Sequence, residues 1–284
     1  MKKFEGVLLA CDFDNTIAPT GKCLSQGIPF TGVPEENIRA IEYFMSEGGY
    51  FSVVTGRAYP AYLHLKDLIP VNCPTALFNG AGIYDFSKEE YLWKKDLPES
   101  ICDHYHAVME AFPTLGMEIF CWDKKVFAER PNVYVERHQL LTKAPWVEID
   151  RLESVGEPVA KLLFQDEYEV LVEVQKYLRA QPWIKDYETI FSSKHLLELT
   201  AKGATKAGAV AELARIFGVK KEHINCAGDE ENDLSMLEVA ETAFVPEDCN
   251  PRLKDRPFCF VGPCTRHAIA DIIAVLDEKY AQHR

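Results

Sequence analysis

The 284-residue sequence has no stretch that approaches the ~20 consecutive apolar residues a membrane-spanning helix requires. Positive charge is also scarce: 31 Lys and Arg stand against 44 Asp and Glu, a formal net charge of -13. Such a field disfavours nucleic acid and anionic membrane surfaces as partners. The nine cysteines include no C-x-x-C pair, so neither a zinc-knuckle pattern nor a regular disulfide framework is present, and the scattered set reads as reduced thiols of a cytoplasmic protein. Behind Lys2 and Lys3 the apolar run stops at Asp12, too short for the apolar region of a secretory signal. No internal repeat or linker-like segment interrupts the chain. What remains is ordinary globular composition, 47% hydrophobic and 26% charged, at a length that suits one large domain or a domain carrying an insertion.

The most informative stretch is Asp12-Phe13-Asp14-Asn15-Thr16-Ile17, which comes after the apolar run Val7-Leu8-Leu9-Ala10-Cys11. A short run of this kind reads as a buried strand of a parallel sheet. It delivers two carboxylates where strand gives way to loop, the place where open α/β sheets bind ligands. A loop there can aim Asp12 and Asp14 separately around one reacting atom, one as nucleophile and the other as acid and base. Taken alone, the same residues are equally those of a turn.

Residues 18–33 form a long loop with the character of a flap. Pro34 opens a helix with Glu35 and Glu36 in its first turn and Ile38, Ile41, Phe44 and Met45 on its apolar stripe; Gly48-Gly49 ends it. Tyr50 to Val54 is the next strand, with Thr55-Gly56-Arg57 directly after it. A hydroxyl, a glycine N–H and a cation make an oxyanion-binding turn, although Thr55 as a helix N-cap explains the same residues. A helix over 58–68 then leads to a third strand, 75–78, and to Asn79-Gly80-Ala81-Gly82, which reads as a hinge.

Between residues 83 and 198 the pattern changes. Ile119 to Trp122 and Val126 to Ala128 flank Asp123-Lys124-Lys125 as an antiparallel hairpin. A strand over 159–164 precedes a helix over 167–180, and 189–192 with 196–199 form a closing strand pair. The insertion is therefore an α+β unit set over the strand ends of the first domain. Alternation along 159–164 puts Ala160, Leu162 and Phe164 on one face and Lys161 on the other, and Lys161 reads as a solvated lysine in preference to one facing the site.

The first domain resumes near Thr200. Lys206 opens a helix, against the dipole preference, a cost that a nearby phosphate would remove. The strand Ile224 to Ala227 runs into Gly228-Asp229-Glu230-Glu231-Asn232-Asp233, a hard-oxygen cluster of the kind that holds Mg²⁺, or alternatively an acidic loop capping the next helix. Strands over 242–245 and 258–261 and a helix over 265–280 close the domain. Alternating strands and helices with right-handed crossovers make a doubly wound, mostly parallel α/β sheet. Residues 1–82 and 199–284 would build it, with 83–198 as an inserted α+β cap. Asp12, Thr55, Lys206 and Asp229 each fall at the end of a different strand or at a helix start of that sheet, so they converge as nucleophile, hydroxyl donor, cation and metal ligand of a phosphate site.

This order of motifs resembles the haloacid dehalogenase superfamily. Asp12-Phe13-Asp14-Asn15-Thr16 matches its Asp-x-Asp-x-Thr motif, Thr55 its second, Lys206 its third, and Gly228-Asp229-Glu230-Glu231-Asn232-Asp233 its fourth. The insertion between the second and third motifs, with Asn79-Gly80-Ala81, is similar to the Cof-like sugar-phosphatase branch. The resemblance implies a Mg²⁺-dependent phosphatase. Asp12 attacks phosphorus to form an aspartyl phosphate, and Asp14 protonates the leaving alkoxide and then activates water. Mg²⁺ is held by Asp12, the Asp14 main chain and Asp229, with Asp233 supporting a metal-bound water. Thr55, Lys206, Gly56, Arg57 and the main chain at Phe13 and Thr16 bind the phosphate, with Asn79 and Asn232 completing the substrate-binding set. Asn15 stands where many relatives have Gly, and the long 18–33 segment is a second departure.

The substrate so implied is a small phosphorylated metabolite, a sugar phosphate by default, handled by a monomer or small homo-oligomer. Two other readings use the same residues. A phosphohexomutase would transfer phosphate between hydroxyls and need a bisphosphate activator. A binding protein without chemistry would be expected to lack one of the four corners, and none is missing. A two-component receiver domain also places Asp, Thr and Lys around Mg²⁺, but at ~120 residues it is shorter than this chain and has no cap.

Overall fold

The computed structural model describes residues 2–122 and 125–281. In chain order the elements are β1 (Leu8–Cys11), α1 (Thr20–Ser25), α2 (Glu35–Ser46), β2 (Tyr50–Val53), α3 (Tyr59–Tyr62), β3 (Thr75–Leu77), β4 (Gly82–Asp85), β5 (Glu90–Lys94), α4 (Ile101–Ala111), β6 (Gly116–Cys121), β7 (Val126–Glu129) and α5 (Val133–Thr142). Then come β8 (Trp146–Glu148), β9 (Val159–Gln165), α6 (Tyr168–Ala180), β10 (Tyr187–Ser193), β11 (Leu196–Ala201), α7 (Lys206–Phe217), β12 (Ile224–Ala227), α8 (Leu234–Val239), β13 (Thr242–Pro246), β14 (Cys259–Val261) and α9 (Ala268–Ala281). Among the described residues no helix is long and apolar enough to cross a membrane.

The first sheet runs β14-β13-β12-β1-β2, every pairing parallel. β1 lies inside it, and all four of its residues are buried, which is why the run reads as continuously apolar rather than alternating. Burying Leu8 or Leu9 contributes roughly 2 kcal/mol each. Register fixes where the strand ends stand. Cys11 pairs with Ala227 on one side and Val53 on the other, so Asp12, Gly228 and Val54 all leave the sheet from one line. α2 and α9 pack together, and Asn37 of α2 accepts the Ala270 N–H of α9 at 3.1 Å.

The second sheet runs β10-β11-β9-β6-β7-β8, antiparallel except for β7 with β8. The expected hairpin is β6 with β7; its turn residues Asp123 and Lys124 lie outside the described residues. α6 packs on α4 and β11.

Several local expectations are corrected. The helix expected over 58–68 is only α3. Arg57 Nη1 donates to the Ala61 carbonyl at 3.3 Å, and the Leu65 N–H turns instead to the Tyr62 carbonyl, so the segment continues as tighter turns. Residues 18–33 are not all loop, since they contain α1. β3 joins the first sheet only through a bridge between Val54 and Ala76 and otherwise pairs antiparallel with β4 in a separate sheet β3-β4-β5. The cause is a reversal at Phe78 and Asn79, both at φ 54. The expected hinge at 79–82 is a packed turn. Gly80 has φ 94 and its α-carbon faces the Thr205 carbonyl so closely that a Cβ would collide with it; Gly82 lies within β4 against Trp122.

Candidate active site

Asp12 continues the β1 ladder, its N–H donating to the Ala227 carbonyl at 2.9 Å. Its Oδ1 lies 2.6 Å from Lys206 Nζ. The same ammonium reaches Asp233 Oδ1 at 2.5 Å. Lys206 is the first residue of α7, whose N-cap Thr205 accepts the Gly208 N–H. A fully buried ammonium at a helix N-terminus is doubly unfavourable, and the two carboxylates offset that cost. Burial alone would lower the Lys206 pKa, but Asp12 and Asp233 hold it above its ordinary value.

The acidic loop is organised by Asp233. Its Oδ2 accepts the N–H groups of Asp229 and Glu230, each at 2.9 Å, and its side chain lies so close to Gly228 that no Cβ could be accommodated there. Thr16 Oγ1 donates to Asp229 Oδ1 at 3.2 Å, a contact between residues 213 positions apart. Asp12, Asp229 and Asp233 thus bring carboxylate oxygens within 4.8 Å of one another. Three carboxylates against one ammonium leave the cluster short of positive charge. Burial pushes the Asp12 carboxyl up to about 7, with the charges of Asp233 and Asp14 adding to the effect and Lys206 opposing it. Burial likewise pushes Asp229 up, reinforced by Asp12, Asp233 and Glu230. Hard oxygen donors in this electrostatic state fit a divalent cation.

Asp14 is placed differently. Arg57 clasps its carboxylate with two hydrogen bonds, Nε to Oδ2 and Nη2 to Oδ1, both 2.7 Å. Thr20 Oγ1 of α1 donates to the same Oδ1. Burial would raise this carboxyl, yet Arg57 and Thr20 hold it below the usual carboxylate range. The Thr55-Gly56-Arg57 turn is pinned by the reversal at 78–79: Phe78 N–H donates to the Arg57 carbonyl and Asn79 N–H to the Thr55 carbonyl, both at 3.0 Å. Thr55 Oγ1 accepts the Arg57 N–H at 3.1 Å, and Asn232 Nδ2 donates to Asn79 Oδ1 at 3.0 Å.

A cavity of about 710 Å³ opens over this floor. Asp12, Asp14, Thr55, Gly56, Arg57, Asp229 and Asn232 line it. The remaining expected site residues do not reach its wall. Phe13 is a core side chain packed edge-on against Tyr62, with ring centroids 5.6 Å apart, so its side chain offers the substrate nothing. Thr16 spends its hydroxyl on Asp229, Asn79 supports Asn232, and Lys206 and Asp233 sit behind Asp12. Sequence reasoning overlooked Thr20, whose hydroxyl on Asp14 has no local signal, and it misjudged Lys161. Far from being solvated, Lys161 is 3% exposed, lines the cavity and donates from Nζ to the Gly56 carbonyl at 3.0 Å. The alternation along β9 gave its face correctly; what it could not give is that the first domain covers that face.

Comparison with known proteins agrees with this geometry. A profile of the haloacid dehalogenase-like hydrolases matches residues 9–273. The chain is similar to the 5-amino-6-(5-phospho-D-ribitylamino)uracil phosphatase YwtE of Bacillus subtilis (strain 168), 33% identical over 272 residues that cover 87% of this chain and 90% of that protein. It is similar also to YitU of the same organism, a phosphatase named for the same substrate, 24% identical over 235 residues, covering 82% and 83%. Among solved structures, a haloacid dehalogenase-like hydrolase from Bacteroides thetaiotaomicron shares the fold with a TM-score of 0.79 at 20% identity, over 95% of this chain and 99% of that one. A subclass IIB sugar phosphatase of the superfamily shares it at 0.77 and 22% identity, over 95% and 98%. With Asp12, Lys206 and the acidic loop of the fourth motif gathered beside the Thr55 turn and the profile matched along nearly the whole sequence, the chain belongs to the haloacid dehalogenase-like hydrolase family.

Proposed function

We propose that this chain, a phosphoric monoester hydrolase of the haloacid dehalogenase-like family, cleaves a small sugar or polyol phosphate by attack of Asp12 on phosphorus. The observation that carries the reading is Asp12 itself: a carboxylate on the cavity floor, held by Lys206 and facing Asp229. An Asp12 oxygen forms the new bond to phosphorus, the ester oxygen leaves, and the aspartyl phosphate is then opened by water. Lys206 fixes the attacking carboxylate, and the Thr55 hydroxyl with the Gly56 N–H meets the phosphoryl oxygens. Asp14 in its clasped, ionised form is suited to take a proton from the attacking water. To protonate the departing alkoxide it must first leave Arg57 and gain a proton.

Asp12 and Asp229, with the Asp14 main chain, are the residues that would hold Mg²⁺, whose charge would ease the approach of an anionic ester to an anionic nucleophile. Asp233, with both oxygens engaged, supports that set from behind. Residues 83–198 serve as the cap and residues 1–82 and 199–284 as the catalytic part. A cytoplasmic setting fits the small phosphorylated substrate and the scattered thiols. The polyol character draws on the relatives, which are named for a phosphoribityl substrate.

The test is release of inorganic phosphate from a panel of hexose, pentose and pentitol phosphates, including 5-amino-6-(5-phospho-D-ribitylamino)uracil, with Mg²⁺ and with EDTA. Metal-dependent release, strongest from a polyol or sugar ester, is expected. Silence across the panel, with isomerisation appearing only on adding a sugar bisphosphate, would replace hydrolysis by phosphate transfer.

A further inference from the structure

The roof of the cavity carries polar chemistry that the phosphate site does not use. Leu163 of β9 pairs with Glu118 of β6 and with Glu198 of β11. Two residues away, Lys161 pairs with Phe120 and Thr200. Alternate residues of a strand share a face, so these six side chains form two rows on one face of the sheet. Phe120, Lys161, Leu163 and Glu198 of these rows line the cavity.

Glu198 is 3% exposed. Its Oε2 lies 2.9 Å from Lys161 Nζ but outside hydrogen-bond geometry, and has no hydrogen-bond partner among the described residues. Ser192 Oγ, on the same cavity wall, also lacks one among the described residues. Lys161 Nζ lies 4.8 Å from the centre of the Phe120 ring and donates to the Gly56 carbonyl, which places the pair beside the turn carrying Thr55. A buried ion pair stabilises a fold little better than apolar residues of the same size. An acceptor left without a hydrogen bond on a reaction-cavity wall points instead to a ligand.

We propose that Lys161 and Glu198 form the leaving-group subsite, binding a neutral hydroxyl on the carbon next to the phosphate-bearing carbon; this rests on the phosphatase reading above. The hydroxyl donates to Glu198 Oε2 and accepts from Lys161, the two roles one hydroxyl can fill together. The pair carries no net charge, and its carboxylate repels a second anionic group at that position. The enzyme therefore selects sugar and polyol esters over esters lacking that hydroxyl. Lys161 and Glu198 act on specificity, whereas Asp12 acts on phosphorus whatever the leaving group.

The experiment compares glycerol 1-phosphate with propane-1,3-diol monophosphate, which lacks only the middle hydroxyl, and with p-nitrophenyl phosphate, which has none. It uses the wild type, Glu198→Gln and the apolar pair Lys161→Met/Glu198→Leu, which leaves no orphaned charge. Wild-type kcat/KM should favour glycerol 1-phosphate over the diol ester by roughly tenfold or more, since a site built to bond a hydroxyl rejects the analogue without it. That ratio should shrink in Glu198→Gln and fall to about one in the double variant. A wild-type ratio near one overturns the proposal, and so does a double variant that loses activity equally on all three esters while keeping the ratio, the result expected of a pair that only ties the two sheets together. Should neither variant fold, the wild-type ratio decides alone. If the wild type with Mg²⁺ leaves all three esters intact, the phosphatase reading fails and this inference falls with it.

Discussion

At the carboxyl ends of β1 and β12 the buried carboxylates of Asp12, Asp229 and Asp233 crowd together, with Lys206 bonding Asp12 and Asp233, whereas on the six-stranded sheet Glu198 faces Lys161 and Glu118 is met by His138, Gln139 and Gln165. One region is left short of positive charge, whereas in the other Glu198 has a cation beside it and Glu118 several polar neighbours. Unmatched carboxylates store repulsion that a divalent cation can relieve. Matched pairs store little and can bond neutral groups. Under the proposed function, the contrast separates the place for phosphorus from the place for the rest of the substrate.

Removing the nucleophile should break the first region most sharply. Asp12→Asn is expected to lower steady phosphate release by ~10⁴-fold or more. In EDTA at pH 8 the same change should hold or raise the melting temperature, because it removes a charge from a crowded cluster. Turnover within tenfold of wild type would remove Asp12 from its role. Lys206→Met comes next, with kcat down by roughly 10²–10³ and unfolding in urea easier by about 3 kcal/mol or more, because it leaves buried carboxylates with no partner. An unchanged urea midpoint would show that the carboxylates are not compensated by Lys206.

The Asp14 clasp should give a smaller effect, seen best in its pH dependence. Arg57 holds Asp14 below its ordinary range, so Arg57→Met should move the acidic limb of the kcat profile, where the ionised carboxylate takes a proton from water, upward by an amount read from the profile itself. A depressed carboxyl contributes stability above its unfolded value and loses it as pH falls through the folded value. The variant should therefore be less stable than wild type near pH 7 and equal to it in strong acid. A profile that keeps the wild-type limb would detach Asp14 from the catalytic proton.

Metal removal sharpens the comparison through stability alone. Asp12 is raised to about 7, so between the ordinary aspartate value and about pH 7 the folded, metal-free protein binds more protons than the unfolded chain. Its stability then falls as pH rises through that window. Mg²⁺ should restore it, raising the melting temperature more at pH 8 than at pH 5. An equal rise at both pH values would separate the metal from Asp12.

Much of the first region could be read from the chain. Val7 to Cys11 is a continuous apolar run and Ile224 to Ala227 one broken only by Asn225, and they end in Asp and Gly-Asp; a strand ending in a carboxylate announces its position whatever surrounds it. Lys206 stood out because it opposes a helix dipole. The partners of these residues were hidden. Thr16 meets Asp229, Arg57 meets Asp14 and Asn232 meets Asn79 across separations that no local pattern encodes. The reversal at Phe78 was equally silent, since a phenylalanine at φ 54 runs against its own preference and is held there by bonds to Thr55 and Arg57. Lys161 shows the limit most directly: period two assigns a face, but whether water or another sheet covers that face is a fact about the rest of the molecule.

By itself the sequence determined the α/β class, the chain order of the strands that carry Asp12, Thr55 and Asp229, and the four groups from which a phosphate site is proposed, because apolar periodicity and strand-end residues are local properties of a chain. Only the tertiary structure decided that Cys11 stands level with Ala227 and Val53, that Arg57 turns Asp14 aside, and that Lys161 and Glu198 meet over the cavity. Register, burial and charge balance are properties of neighbours, and those neighbours are brought together only when the sheets close over one another.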